Sequence, residues 1–183
     1  MLRSRGIDEH GASRIEVGPM RRRHLRGVMA IERQVYARPW SPNLFVAEMS
    51  EPKNRCYLVA RAERAIVGYG GLICYGDEAH VTNIAVDPQR HRLGIGTRLL
   101  YELVTQAIAL GGHAVSLEVR ITNWGAQRLY GRFGFRPVGI RRNYYQELHE
   151  DALIMWTDDI RTQHYANRLA SVADTMPDRV RLR

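Results

Sequence analysis

The run from Ala79 to Leu110 constrains the fold more than any other part of the chain. AHVTNIAVD is rich in β-branched and apolar residues, Asp87-Pro88 ends it, and a basic turn leads through Gly94 and Gly96 into a helical stretch. That stretch carries Ile95, Leu99, Leu103, Val104, Ala107 and Ile108 on one face before Gly111-Gly112 stops it. A strand that feeds an amphipathic helix of this length needs a sheet for the helix to cover. The turn has two readings. It is a tight strand-to-helix connection, or it is an anion cradle, because glycines lack the Cβ that blocks close approach and the free N–H groups at a helix start favour phosphate. The Lys-Ser/Thr of a nucleoside-triphosphate loop is missing, and so is a G-x-G-x-x-G with an acidic residue about 20 positions on. Both of those rivals are set aside.

The remaining segments supply the sheet. RIEVGPM reads as a short strand, Arg21 to Tyr36 has helical spacing, and Ser41 or Asn43 can cap a second helix through Met49. CYLVARAE and AIVGYGGLICYG form a hairpin pattern around Arg64. HAVSLEVRIT alternates strictly, with Val115, Leu117, Val119 and Ile121 on one side and Ser116, Glu118 and Arg120 on the other. Asn123 can cap a helix through Phe133, and FRPVGIRR and DALIMWT are the last strands. The predicted order is β-α-α-β-β-β-α-β-α-β-β, an α/β chain with a mixed sheet. Residues 1–13 read as a flexible lead-in and 14–160 as one domain. The basic tail 161–183 has helical spacing at Tyr165, Leu169 and Val172, which predicts a marginal helix fading into disorder.

Composition excludes several classes. With 183 residues, one domain is expected. No run approaches the ~20 apolar residues of a membrane span, and no secretion signal is seen, so a cytoplasmic location is expected. Cys56 and Cys74 have neither disulfide-framework nor metal-site spacing, and no histidine pair has ligand spacing, so no metal is expected. The net charge of +8 suits a polyanionic ligand or nucleic acid without choosing between them. Lys53 is the only lysine against 26 arginines, which points to coding bias. A monomer is the default expectation.

TNIAVDP, HRLGIG, SLEVRITN and RLYGRFGF occur in the order found in the GNAT acetyltransferases, and VGIRRNYY and EDALIMW extend the match toward the bacterial ribosomal-protein-alanine N-acetyltransferases of RimI type. The chain resembles that family over roughly residues 14 to 157. The resemblance implies a mostly antiparallel sheet of about seven strands, splayed at an acetyl-CoA site and flanked by about four helices. It implies that acetyl-CoA lies along Ile84, Ala85 and Val86, with its diphosphate on Arg92, Leu93, Gly94, Ile95, Gly96 and Thr97 and its pantetheine arm held by Asn123. The turn departs from the family in having His91 where Gln or Arg is usual and Leu93 where a small or polar residue is usual. Backbone amides do the gripping, so binding is expected to persist.

By the same resemblance Glu118 is the general base and Tyr130 the acid that protonates the departing thiolate. Read on their own residues, Glu118 is an exposed strand glutamate paired with Arg120, Tyr130 a core aromatic, and Asn123 a helix cap. Direct attack by the amine is expected, with the Val86 N–H as oxyanion donor, because no cysteine sits in these motifs. An α-amine, pKa ~7.7 to 8.0, suits a single carboxylate better than a lysine at ~10.4. Tyr36, Trp40, Tyr144 and Tyr145 are candidate walls for a peptide N-terminus, or else aromatics packed on their own domain. The expected acceptor is therefore a protein N-terminus, ribosomal by resemblance. The alternatives are lysine, a small-molecule amine, a non-catalytic acetyl-CoA sensor, and a nucleic-acid-binding module.

Overall fold

The computed structural model describes residues 12–177 and 180–181. Most of the lead-in expected at 1–13, and part of the PDRVRLR end, lie outside the described residues. The elements in chain order are β1 (Ala12–Ser13), β2 (Ile15–Pro19), α1 (Leu25–Val35), α2 (Pro42–Met49), β3 (Arg55–Ala62), β4 (Ala65–Tyr75) and β5 (Glu78–Val86). There follow α3 (Ile95–Ala109), β6 (Ala114–Arg120), α4 (Trp124–Arg132), β7 (Arg136–Tyr145), β8 (Glu150–Thr157), α5 (Gln163–Asp174) and β9 (Val180–Arg181).

Local chemistry sets the helix ends. Ser41 accepts the Leu44 N–H with Pro42 following it, and Asn123 accepts the Ala126 N–H at 3.1 Å. Gly94 starts α3 with φ of +76°, which L side chains rarely adopt.

Seven strands form one sheet in the order β2-β3-β4-β5-β6-β8-β7. All neighbours are antiparallel except β5 and β6, which are parallel and joined through α3. Alternation along the strands divides the core. Leu58, Ala60 and Ala62 join α3 and α5 on one face, while Tyr57 and Val59 join α1 and α2 on the other.

The sheet forks between β5 and β6. Their registered pairs run from Glu78↔Ala114 to Val81↔Leu117. Beyond that, Asn83 to Val86 pair only with β4, and Glu118 to Arg120 only with β8. The β4–β5 register shifts between Gly71↔Asn83 and Leu72↔Val81, so Thr82 is an extra residue in β5. A bulge of this kind bends its strand and strengthens the local twist, which here turns β5 away from β6. Gly71 permits it: a Cβ there would run into Tyr57 and come 2.7 Å from Thr82 Oγ1.

Among the described residues there are five helices, against about four expected. The fifth is α5, in the segment where spacing predicts only a marginal helix. Thr162 caps it, Tyr165, Leu169 and Val172 are buried in the main core, and the Tyr165 hydroxyl donates to the Phe133 carbonyl at 2.8 Å. Tertiary packing, not intrinsic propensity, stabilises it. A two-stranded pairing of β1 with β9 joins Ala12 and Ser13 to Arg181 and Val180.

Candidate active site

Two cavities occupy the fork. The larger, about 1150 Å³, runs past the turn from Arg90 to Thr97, the ends of Ile84, Ala85 and Val86, and one side of α4. The smaller, about 250 Å³, lies under the loop between α1 and α2 and takes Tyr36, Trp40, Glu118, Tyr144 and Tyr145 into its walls. Val35, Ile84, Arg120, Asn123 and Tyr130 line both, so the cavities meet at these residues.

The turn is built for a close neighbour. Gly94 and Arg92 both have positive φ, at +76° and +65°. A Cβ on Gly96 would sit 3.4 Å from Leu129 Cδ2 and 3.7 Å from Val86 Cγ2, so side-chain bulk here would narrow the gap between β5 and α4. Arg90, Arg92, Arg120, Arg128 and Arg132 surround this cavity with no carboxylate among its lining residues, and Arg90 Nη1 is buried without a hydrogen-bond partner. A polyanion that fills the cradle fits this charge and this orphaned donor. His91 turns its Nε2 to the Val86 carbonyl at 3.1 Å and so braces the strand end.

Glu118 is the first β6 residue past the last registered pair with β5, at the apex of the fork. Its side chain is only 8% exposed. His80 Nε2 lies 3.1 Å from Oε2 and Arg141 Nη2 lies 3.3 Å from Oε1. The bond from His80, helped by the charge of Arg141 and opposed by burial, holds the carboxyl below its ordinary value. Neither an exposed position nor a pair with Arg120 describes it. Arg120 stays two residues on, lining both cavities.

Tyr130 is 5% exposed and its ring lies 5.9 Å from that of Phe135. Burial raises its phenol above the ordinary value, so the hydroxyl keeps its proton at neutral pH. The core-aromatic reading and the cavity-facing one both describe this residue. Asn123 likewise caps α4 and lines both cavities.

The four candidate wall aromatics come together. The Tyr36 hydroxyl donates to the Ile84 carbonyl at 3.3 Å, and Trp40 packs against Phe45 with ring centroids 5.3 Å apart. Tyr144 and Tyr145 stand edge to face at 5.2 Å, with the Arg141 guanidinium 5.6 Å over the Tyr144 ring. Burial pushes the Tyr145 phenol up to about 12.

Several lining residues escape a sequence reading. Arg128, Arg132 and Thr175 to Pro177 join the larger cavity, and Glu32 and Asn83 the smaller. His80 and Arg141 reach Glu118 through strand register, and nothing local announces that. Thr175 to Pro177 are set across the cavity by the Arg132 bond to Thr175 Oγ1 at 2.6 Å and the Arg98 bond to the Pro177 carbonyl at 2.8 Å. Among the described residues there is no cluster of His, Cys, Asp and Glu able to hold a metal, and no helix long and apolar enough to cross a membrane.

Residues 25–135 match the model of the acetyltransferase (GNAT) family. The chain is similar to an N-alpha-acetyltransferase RimI of Mycobacterium tuberculosis, 38% identical over 150 residues that cover 79% of this chain and 92% of the relative. It is also similar to a [ribosomal protein bS18]-alanine N-acetyltransferase of Salmonella typhimurium, 39% identical over 127 residues, 68% of this chain and 84% of the relative. Among solved structures, the ribosomal-protein-S18-alanine N-acetyltransferase of Escherichia coli superposes with a TM-score of 0.71 at 31% identity, covering 79% of this chain and 94% of that one.

Proposed function

This chain belongs to the acetyltransferase (GNAT) family, and on that premise we propose that it transfers acetyl from acetyl-CoA to the α-amine of a protein N-terminus, with a ribosomal protein beginning in alanine as the expected acceptor. The observation that carries the reading is the meeting of two cavities of different chemistry. One is large, basic and built around a glycine turn; the other is small, aromatic and holds a buried carboxylate. A polyanionic donor and a short peptide end can enter from opposite sides and meet at Tyr130 and Asn123. The names carried by the bacterial relatives support this choice of acceptor.

The donor supplies an acetyl thioester. Arg92 to Thr97 hold its diphosphate, with Arg90 adding charge, and Ile84 to Val86 offer the backbone edge left free at the fork. Asn123 steadies the pantetheine arm. The Val86 N–H serves as oxyanion donor. Glu118, ionised at neutral pH because His80 and Arg141 face it, takes the proton the amine sheds. Tyr130 gives its proton to the leaving sulfur. Burial raises the phenol, so it holds its proton until the thiolate forms. Tyr36, Trp40, Tyr144 and Tyr145 hold the peptide end in place. A minor but useful fraction of an α-amine is neutral near pH 7, with pKa ~7.7 to 8.0, so a carboxylate of depressed pKa suffices.

The test is acetylation of a panel of N-terminal peptides against peptides whose only amine is a lysine, read by mass spectrometry with acetyl-CoA as donor. Modification of α-amines with alanine among the preferred first residues is expected. Acetylation confined to lysines overturns the reading.

A further inference from the structure

Glu118 is shared between two cavities. It lines the smaller cavity of the fork, and on the other side it lines a third cavity of about 280 Å³ with Tyr75, Glu78, His80, Ser116, Arg141 and Tyr144. Tyr75, Glu78, Arg141 and Tyr144 are exposed, so this third cavity opens to solvent. His80 lines it and does not line the acceptor side. Its position follows from register: His80 pairs with Ser116 in the last stretch before the fork, so both side chains stand on the same face as Glu118, two residues beyond. The imidazole bridges them, with Nδ1 2.9 Å from Ser116 Oγ and Nε2 3.1 Å from Glu118 Oε2.

We propose that His80 is the exit for the proton that Glu118 removes from the acceptor amine. The inference rests on Glu118 being the base. Of the two side chains paired with the Glu118 carboxylate among the described residues, Arg141 is permanently protonated, which leaves the imidazole as the one that can receive a proton from it. As the nitrogen bonds to the acetyl carbon, its N–H electron pair stays on nitrogen and the proton passes to the Glu118 carboxylate. With Glu118 ionised, the His80 Nε2–H is donated to it and Nδ1 accepts from the Ser116 hydroxyl. Once Glu118 holds the amine's proton, the imidazole exchanges protons with water in the third cavity to reach its other neutral tautomer. Nδ1–H is then donated to Ser116 Oγ, and the Nε2 lone pair takes the proton from Glu118. The imidazolium returns to neutral by releasing a proton to water in the third cavity, and Glu118 is a carboxylate again. A carboxyl group is ordinarily a stronger acid than an imidazolium, which sets the direction of the transfer. The route matters because a bound peptide fills the acceptor side. Around the imidazole, Glu78 from β5 and the phenols of Tyr75 and Tyr144 complete the titratable surroundings, with Arg141 from β7 as the one permanent cation of the cavity lining.

Steady-state kinetics of peptide acetylation by the full chain test this with His80→Gln, His80→Ala and Glu118→Gln between about pH 6 and pH 9, the range in which histidine changes charge. His80→Gln is expected to lower kcat about 10-fold or more, less than the roughly 10²–10⁴-fold a direct general base contributes because His80 acts at one remove from the amine. It should leave both KM values nearly unchanged and flatten the acid limb of the kcat profile. His80→Ala should regain part of its kcat as imidazole is added. If Glu118→Gln is inactive while both His80 variants keep the wild-type kcat and pH profile, the relay is overturned and the base stands. A His80→Ala loss that imidazole does not restore, with the pH profile unmoved, also overturns it by reducing His80 to a scaffold. Full activity in Glu118→Gln would instead remove the base assignment itself.

Discussion

Near the end of α1, Glu32 is 1% exposed, accepts the Trp40 N–H at 2.9 Å through Oε1, and leaves Oε2 buried without a hydrogen-bond partner. Burial pushes its carboxyl from 4.5 up to about 7. The folded state therefore binds the proton more tightly than the unfolded one. Its contribution is complete below the unfolded value and is lost as pH rises through the folded value. Glu32→Gln keeps the acceptor for Trp40 and removes the charge, so it should raise the thermal midpoint at pH 8 and leave it nearly unchanged at pH 5. A gain on the order of 1–3 kcal/mol is expected, several degrees by scanning calorimetry at the two pH values. Tyr130→Phe tests a different chemistry. The ring contact with Phe135 survives while the hydroxyl is lost, so kcat in the peptide assay should fall about 100-fold with little change in thermal midpoint. At this scale the sequence offers Glu118, Asn123 and Tyr130 as candidates only through the family resemblance, since their own pattern reads as a strand glutamate, a helix cap and a core aromatic. His80, Arg141 and Glu32 are not visible. Their roles depend on which strand lies beside which and on how deep a helix end is buried, and neither is a local property.

Among the elements, the strand and helix order from Arg14 to Thr157 is legible because alternation, helical spacing and capping residues are local signals. The fork is not. It arises from one extra residue, Thr82, opposite Gly71, and a bulge leaves no periodicity of its own. Gly71→Ala would push a methyl group into Tyr57 and toward Thr82 and Asn83. We expect it to cost about 1–3 kcal/mol, as overpacking does, and to depress acetylation beyond the loss of folded protein, measured as specific activity of the soluble fraction. Helix α5 shows the opposite failure: its spacing is readable, but its stability comes from the Phe133 carbonyl and the core beneath it. Leu169→Ala should therefore cost about 2–5 kcal/mol in urea unfolding, as a core truncation does, and not the few tenths of a surface change.

Across the whole molecule, the net charge of +8 acquires a direction. Arg90, Arg92, Arg120, Arg128 and Arg132 gather on the larger cavity, although single arginines in the sequence read as scattered surface. Such a cluster focuses its field on an anionic ligand and weakens as salt screens it. The KM for acetyl-CoA should rise several-fold between about 0.05 and 0.5 M salt, where the screening length falls from more than 10 Å toward a few ångström, while kcat for a neutral peptide changes little. The cavity's remaining wall, Thr175 to Pro177, has a consequence in time as well as in space. Every other residue that lines the cavity precedes these three in the chain, and proteins are made from the N-terminus onward. During synthesis the nascent enzyme therefore carries this cavity open along one side, and its wall is finished by the last of the lining residues to emerge.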